Sequence, residues 1–170
     1  MSNFRWLRYE WIWEKSRATR FLNAKKAPLK AHENILVFYD RAPGYHPQFS
    51  KAKPYRIARG AHFNPNHGQV IGAAVMENSG YRYPRSILRF ASGAHTIHPT
   101  QKPVALFEYL VRTYTNPGEL VLDSCIGSGT TAIACLNSGR RFIGFEKDKR
   151  FFGIAHRRIV AHRRKHYSRL

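Results

Sequence analysis

The feature that most constrains the fold is a glycine-rich loop between a short apolar run and a helical segment. Leu120-Val121-Leu122 predicts a buried strand, and the stretch 130–136 predicts a helix. The run Asp123-Ser124-Cys125-Ile126-Gly127-Ser128-Gly129 joins them, and its glycines permit a tight turn whose backbone N–H groups face a ligand. A second predicted strand at 141–145 completes a β-α-β unit. The sequence therefore predicts an α/β fold with a binding loop.

The acid after this unit indicates what the loop binds. Glu146 ends the second strand about 20 residues beyond the glycines, where nucleoside-binding folds accept hydrogen bonds from ribose hydroxyls. The loop lacks the Gly-Lys-Ser/Thr ending of a Walker loop, and Thr131 and Ala132 follow where a dinucleotide fingerprint needs its third glycine. Asp123 would pair with an ammonium and repel a phosphate. S-adenosylmethionine, a nucleoside with an amino-acid tail, is therefore favoured over a structural turn.

The charge of the chain points to a polyanionic partner. The 170 residues contain 29 Lys and Arg against 10 Asp and Glu, a formal net charge of +19. Nucleic acid is the first candidate, and a soluble protein that happens to be basic is the alternative. With 43% hydrophobic residues, the chain is long enough for one domain with its own core.

The cysteines and the hydropathy pattern predict the compartment. Cys125 and Cys135 are the only cysteines in the sequence, and both lie among apolar neighbours, so we expect a reducing, cytoplasmic setting without disulfides. No stretch approaches the length of an apolar membrane span. We therefore expect no membrane partner.

The remaining segments divide into ordered and irregular parts. Residues 7–13 and 34–39 predict strands, the second as a near-continuous apolar run covered on both faces. Periodicity fades among the prolines and glycines of 41–97, which predicts an irregular, surface-exposed insertion. Pro103 begins a predicted helix that ends at 116–118. A last helix from Asp148 is expected to bury Phe152, Ala155 and Ile159 and to expose Arg150, Arg157, Arg158, Arg163, Arg164 and Lys165.

The insertion interleaves basic and aromatic side chains in two runs, 51–56 and 81–85. This pattern suits phosphate contacts and base stacking, so DNA contact is favoured over a solvated loop. The candidate DNA-binding residues are Lys51, Lys53, Arg56, Arg82 and Arg85. The pairs His95 with His98 and His162 with His166 have ligand-like spacing but no Cys or carboxylate cluster, so no metal site is expected.

His98-Pro99-Thr100-Gln101-Lys102-Pro103, the loop 123–131 and Glu146 together resemble the C-terminal half of the β-class DNA adenine-N6 and cytosine-N4 methyltransferases. Stretches 11–15, 21–26 and 32–38 are similar to the post-catalytic strands and loop of the phage-type adenine enzymes. The resemblance implies a Rossmann-like methyltransferase fold in a single domain. Residues 1–40 are then post-catalytic strands and loop, 41–97 the target-recognition insertion and 98–170 the cofactor-binding subregion.

The resemblance also implies roles for individual residues. Lys102 would approach the methionine carboxylate, Asp123 the ammonium and Glu146 the ribose. The predicted cofactor-binding set is Lys102, Asp123, Gly127, Gly129, Thr130 and Glu146, and the alternative for Lys102 is a solvated residue at a helix start. The chain departs from many relatives at Ser124-Cys125, which replaces Pro-Phe, and at Arg20, which replaces Gly.

The catalytic tetrapeptide of the family, Asp-Pro-Pro-Tyr or its Asn or Ser variants, does not occur in the sequence. The resemblance places it before the strand at Trp11, so we expect an N-terminally incomplete fold from a truncated or split reading frame, with no catalytic residue in this chain. The expected function is adenine-N6 methylation of double-stranded DNA in a bacterial or phage-infected cell, together with a separate N-terminal half or a second copy. The alternatives are a non-catalytic DNA-binding remnant and a basic RNA-associated protein without cofactor affinity.

Overall fold

The chain forms two compact units. A computed structural model describes residues 4–66, 68–91, 97–98 and 100–167. One unit is built from Met1–His46 and Arg85–Leu170, and the other from Pro47–Pro84. The sequence predicts a single domain with an insertion over 41–97, whereas the structure sets a shorter stretch apart as a unit of its own.

The secondary structure follows most of the predicted elements, with shifted ends. The strands are β1 (Leu7–Thr19), β2 (Lys30–Phe38), β3 (Ser50–Lys51), β4 (Tyr55–Arg59), β5 (His62–Asn64), β6 (Gln69–Ile71), β7 (Ala74–Asn78), β8 (Tyr81–Arg82), β9 (Ile87–Arg89), β10 (Leu120–Asp123) and β11 (Arg141–Gly144). The helices are α1 (Val104–Tyr114), α2 (Thr130–Ser138) and α3 (Lys149–Tyr167), with single 3-10 turns at Phe4–Trp6 and Phe21–Asn23.

Strand β1 is the centre of a three-stranded sheet in the larger unit. It pairs antiparallel with β2 and parallel with β9, and its pairing with β2 continues to Thr19, past the predicted end at Trp13. Alternate residues of a strand share a face, and here Trp11 and Trp13 are buried against Leu88 and Leu106. Helix α1 therefore covers this face of the sheet.

Strands β10 and β11 pair in parallel and are connected by α2, as the β-α-β pattern predicts. Val111 of α1 packs with Ala134 and Cys135 of α2, so α1 joins both cores of the larger unit. Helix α3 buries Ala155, but Phe152 is 55% exposed, against the prediction. The neighbouring ring of Phe151 makes the contact instead, 4.1 Å from the ring of His98.

The two sheets of the larger unit each leave one face uncovered within the described residues. Strand β2 alternates between half-buried and exposed side chains, so the prediction that both its faces are covered is wrong. Leu36 and Phe38 are exposed on β2 because only its other face meets α1. Leu120 and Leu122 of β10 are exposed in the same way, since α2 covers only the opposite side.

The smaller unit is a long β-hairpin, which corrects the prediction of an irregular insertion. Strands β3, β4 and β5 pair antiparallel with β8, β7 and β6 in turn. The direct pairs Ile57 with Met76 and Phe63 with Val70 place apolar side chains opposite each other. Pro54 and the small residues between the short strands interrupt the alternation, so the pairing is not visible in the sequence.

One position at the base of the hairpin requires glycine. Gly80 has a φ of 96°, and a Cβ there would lie 2.7 Å from the carbonyl oxygen of Ala52.

Among the described residues, no helix has the length and apolar character needed to cross a membrane.

Candidate functional site

A cavity of about 690 Å³ lies at the carboxyl end of β10 in the larger unit. This volume falls within the range of small-molecule pockets, and the carboxyl end of a parallel strand is where α/β folds bind ligands. Five of the six predicted cofactor-binding residues line it, namely Lys102, Asp123, Gly127, Thr130 and Glu146. The sixth, Gly129, is not among the lining residues.

The two loop glycines have different structural tasks. Gly127 has a φ of 54°, and a Cβ there would lie 3.7 Å from the His98 ring. Gly129 has a φ of 82°, and a Cβ there would lie 3.3 Å from Cβ of Ala155 in α3. Gly127 therefore shapes the cavity, while Gly129 lets α3 pack closely against the start of α2.

The two acids hold the loop from both sides. Asp123 Oδ1 accepts a hydrogen bond from the Cys125 backbone N–H at 2.9 Å, and Oδ2 accepts one from the Thr131 hydroxyl. Glu146 Oε2 accepts from the Gly127 N–H and Oε1 from the Asp148 N–H, both at 2.9 Å. Each carboxylate oxygen can accept a second hydrogen bond. Both acids are thus fixed in place and retain capacity for a ligand.

Lys102 takes part in an ion-pair cluster rather than extending into solvent. Its Nζ lies 2.5 Å from Glu33 Oε2, and Lys15 Nζ lies 2.7 Å from Glu33 Oε1. Burial raises the pKa of the Glu33 carboxyl, but the hydrogen bonds and charges of Lys102 and Lys15 outweigh this and hold the pKa below its usual value. Glu33 lies 69 positions from Lys102, so no local sequence signal predicts this contact.

Arg158 is a loop contact that the sequence does not predict. The side chain was expected to be exposed on α3, but it is half-buried, and its Nη1 donates to the Ser128 carbonyl oxygen at 3.1 Å. The same nitrogen reaches the hydroxyls of Ser128 and Thr130, each at 3.3 Å. Burial lowers the pKa of the guanidinium. Because Ala155 contacts Gly129, the residue one turn further along α3 faces the loop.

The cavity wall also includes three polar residues before α1, namely His98, Thr100 and Gln101. The Ser128 hydroxyl donates to Gln101 Oε1 at 3.1 Å, and the Thr100 N–H donates to His98 Nδ1 at 3.2 Å.

The prediction that both cysteines lie among apolar neighbours is wrong for Cys125, because this thiol is exposed and only Cys135 is buried. No cluster of three or more potential metal ligands occurs among the described residues, and His95 and the His166 side chain lie outside them.

The candidate DNA-binding residues divide between the two units. Lys51 and Lys53 are exposed on the hairpin, and the exposed Arg56 forms an ion pair of 3.1 Å with Glu77. Arg82 instead holds the hairpin together, because its Nη2 donates to the Lys53 carbonyl oxygen at 2.6 Å and its guanidinium lies over Tyr55. Arg85 belongs to the larger unit.

Comparison with known sequences identifies the family. Residues 2–157 match a family described as DNA methylase. The type II methyltransferase M.BglII of Bacillus subtilis is 34% identical over 137 residues, which cover 79% of this chain and 38% of that protein. The DNA adenine methyltransferase YhdJ of Escherichia coli K12 is 38% identical over 104 residues, or 61% of this chain and 32% of that protein. The chain therefore spans less than two fifths of the length of these curated relatives.

Solved structures show the same fold. The M1.HpyAVI-SAM complex superposes with a TM-score of 0.60 and 27% identity over 90% of this chain and 62% of the other. The cytosine-N4-specific PvuII DNA methyltransferase has a TM-score of 0.59 and 16% identity over 89% of this chain and 50% of the other, a likeness of fold alone. The predicted α/β methyltransferase fold is confirmed, and the chain belongs to the DNA methylase family of adenine-N6 and cytosine-N4 methyltransferases.

Proposed function

We propose that this chain supplies the S-adenosylmethionine pocket and a DNA-contacting arm of a DNA adenine-N6 methyltransferase. The observation that carries the proposal is the cavity at the end of β10, which Asp123, Glu146 and Lys102 all line. The relative that is solved with S-adenosylmethionine shares 27% identity and the fold. The relative named as an adenine methyltransferase is 38% identical over its aligned residues, and this favours adenine over cytosine.

The charges of the cavity suit this ligand. The carboxylates of Asp123 and Glu146 outnumber the ammonium of Lys102, so the lining favours a ligand with net positive charge. S-adenosylmethionine has a sulfonium and an ammonium against one carboxylate. A nucleotide polyphosphate would face two carboxylates instead, and its charge would be repelled.

Each lining residue then has a defined role. Asp123 accepts a hydrogen bond from the ammonium, and Glu146 accepts hydrogen bonds from the ribose hydroxyls. Both use carboxylate lone pairs that do not accept from the loop N–H groups. Lys102 pairs with the carboxylate. Gly127 keeps the loop backbone close to the ligand, and Thr130 is oriented by Arg158 at the start of α2. When bound, S-adenosylmethionine supplies an electrophilic methyl group for transfer.

The hairpin is the proposed DNA-contacting arm. A two-stranded ribbon fits the major groove of duplex DNA, and Lys51, Lys53 and Arg56 present cations for phosphates. Arg82 fixes the base of the ribbon through its hydrogen bond to the Lys53 carbonyl oxygen. The pairs Ile57 with Met76 and Phe63 with Val70 are exposed and offer apolar side chains for base or sugar contacts.

Methyl transfer requires a group that positions the target amine, and these 170 residues contain no Asp-Pro-Pro-Tyr run. We infer that a segment outside them, or a partner chain, supplies it, and that the chain alone is inactive. The uncovered apolar faces of β2 and β10 provide a surface for such a segment. A non-catalytic DNA-binding remnant is the second candidate, which the absent tetrapeptide favours.

Calorimetry with S-adenosylmethionine tests the pocket. We expect Asp123→Ala and Glu146→Ala each to weaken binding about tenfold or more, because each removes a charged acceptor from the ligand and the loop. The exposed Glu10→Ala, on β1, serves as the matched control and should bind as the wild type does. Unchanged affinity in both pocket variants would show that the ligand binds elsewhere.

Transfer of labelled methyl to duplex DNA separates the two candidate functions. The chain alone should give no transfer, and addition of a relative's Asp-Pro-Pro-Tyr half should restore it if the chain is part of an enzyme. Transfer by the chain alone would show that a catalytic group lies within these residues. No transfer with the added half, despite cofactor binding, would favour the non-catalytic remnant.

A further inference from the structure

Three charged side chains meet beside the cavity, and the proposed function assigns a role to only one of them, Lys102. Glu33 Oε1 holds the ammonium of Lys15 at 2.7 Å, and Oε2 holds the ammonium of Lys102 at 2.5 Å. Each carboxylate oxygen therefore has its own cation. The cluster has one more positive charge than negative charge.

The surroundings of this cluster hold it in place. The side chains of Lys15, Glu33 and Lys102 are 13%, 27% and 31% exposed. Both ammonium groups lie over the ring of Trp13, at 5.8 and 5.7 Å from its centroid. Trp13 is buried, and its indole N–H donates to the Phe90 carbonyl oxygen at 2.9 Å. Limited exposure to water makes these charges interact more strongly than surface charges do.

Only Lys102 of the three lines the cavity. If Glu33 had Lys102 as its sole partner, the pair would be neutral, and the Glu33 carboxylate would repel an incoming anion. Lys15 changes this balance, because it does not line the cavity and its ammonium neutralises the Glu33 carboxylate. The ammonium of Lys102 is then left as the uncompensated charge at the cavity wall.

We propose that Lys15 and Glu33 are positioning residues for a carboxylate-binding site at Lys102. Glu33 holds the Lys102 side chain against Trp13, and Lys15 offsets the charge of Glu33 so that Lys102 can pair with the ligand. The ligand group is the carboxylate of an amino-acid tail, and this inference rests on the proposed binding of S-adenosylmethionine. Asp123, which lines the same cavity, is the acceptor for the ammonium of that tail.

Two ligands that differ in one group provide the test. Calorimetry on the 170-residue chain compares S-adenosylmethionine with decarboxylated S-adenosylmethionine, which retains the ammonium and the sulfonium. Lys15→Met should weaken binding of the first about tenfold, the scale of one charge-assisted hydrogen bond, and should not weaken binding of the second. The variant keeps the aliphatic length of the side chain. Lys26→Met, at an exposed lysine of the β1–β2 connector, is the control and should change neither.

A double variant distinguishes charge from packing. Lys15→Met with Glu33→Gln returns the cluster to one net positive charge, so binding of S-adenosylmethionine should recover to within about threefold of wild type. Equal losses for both ligands in Lys15→Met, or weaker binding by the double variant than by Lys15→Met, would overturn the proposal. Binding of neither ligand by the wild type would overturn the proposed function, and this inference with it.

Discussion

At Gly144 the backbone of β11 runs directly beneath the Ile126 side chain, which belongs to the glycine loop. A Cβ at this position would lie 3.1 Å from Cβ of Ile126 and closer still to its Cδ1. Gly144→Ala should therefore destabilise the chain by about 1–3 kcal/mol in urea unfolding, the usual cost of overpacking. Gly153→Ala is the matched control, since it lies within α3 and its Cβ would meet only the end of the Arg157 side chain at 3.6 Å. The control should stabilise by about 0.5–1 kcal/mol, and equal effects of the two changes would contradict this reading.

The placement of individual residues was predictable where the signal was local. The spacing from Asp123 to Glu146 lies within one β-α-β unit, and the structure places both residues in one cavity. The partners of Lys102 and Arg158 were not predictable, because Glu33 and Ser128 lie 69 and 30 positions away in the chain. Charged residues of one helix or strand look alike in a sequence, and only packing decides which of them face a site.

Arg158 of helix α3 donates hydrogen bonds to the glycine loop. Arg158 donates to the carbonyl and hydroxyl of Ser128 and to the Thr130 hydroxyl, and its neighbour Arg157 is exposed. Arg158→Met should weaken S-adenosylmethionine binding about tenfold in calorimetry, because the loop backbone loses its charged donor. Arg157→Met removes the same charge from the same helix and should leave affinity within about twofold. Similar losses in both variants would indicate an effect of overall charge rather than loop position.

The hairpin should bind DNA chiefly through phosphates. Log affinity falls as log salt rises, and each phosphate contact contributes about 0.9 to the magnitude of this slope. The double change Lys51→Gln and Lys53→Gln should therefore reduce the magnitude of the slope by about 1–2. Fluorescence anisotropy with a labelled duplex measures this slope. Glu77→Gln is the control, because it removes a negative charge and frees Arg56 from its ion pair. It should not reduce the magnitude of the slope. An unchanged slope in the double variant would remove these lysines from the DNA interface.

Element prediction succeeded where one period dominates. The strands and helices from Val104 onward follow from apolar spacing, with shifts of a few residues at their ends. The hairpin was missed because its short strands are interrupted at Pro54 and Gly60, and pairing across the ribbon is a long-range property. The exposed face of β2 was missed for a related reason, since an apolar run does not show which of its faces packs against another element.

The whole molecule combines the cavity at the end of β10 with apolar faces that its own described residues leave open. Leu36 and Phe38 on β2 and Leu120 and Leu122 on β10 are all exposed. Contiguous exposed apolar patches mark interaction sites. The proposed function assigns these faces to the segment or partner chain that supplies the catalytic group.

Hydrogen–deuterium exchange of the 170-residue chain, with and without saturating S-adenosylmethionine, locates the cofactor site. Binding should slow exchange in peptides covering 119–133 and 141–148, because these contain the loop N–H groups and both carboxylates of the cavity. Peptides of the hairpin, 50–82, should exchange at the same rate in both conditions. Unchanged exchange in the loop peptides at saturation, or slowing confined to the hairpin, would contradict the assignment of this chain as the cofactor-binding part of a DNA methyltransferase.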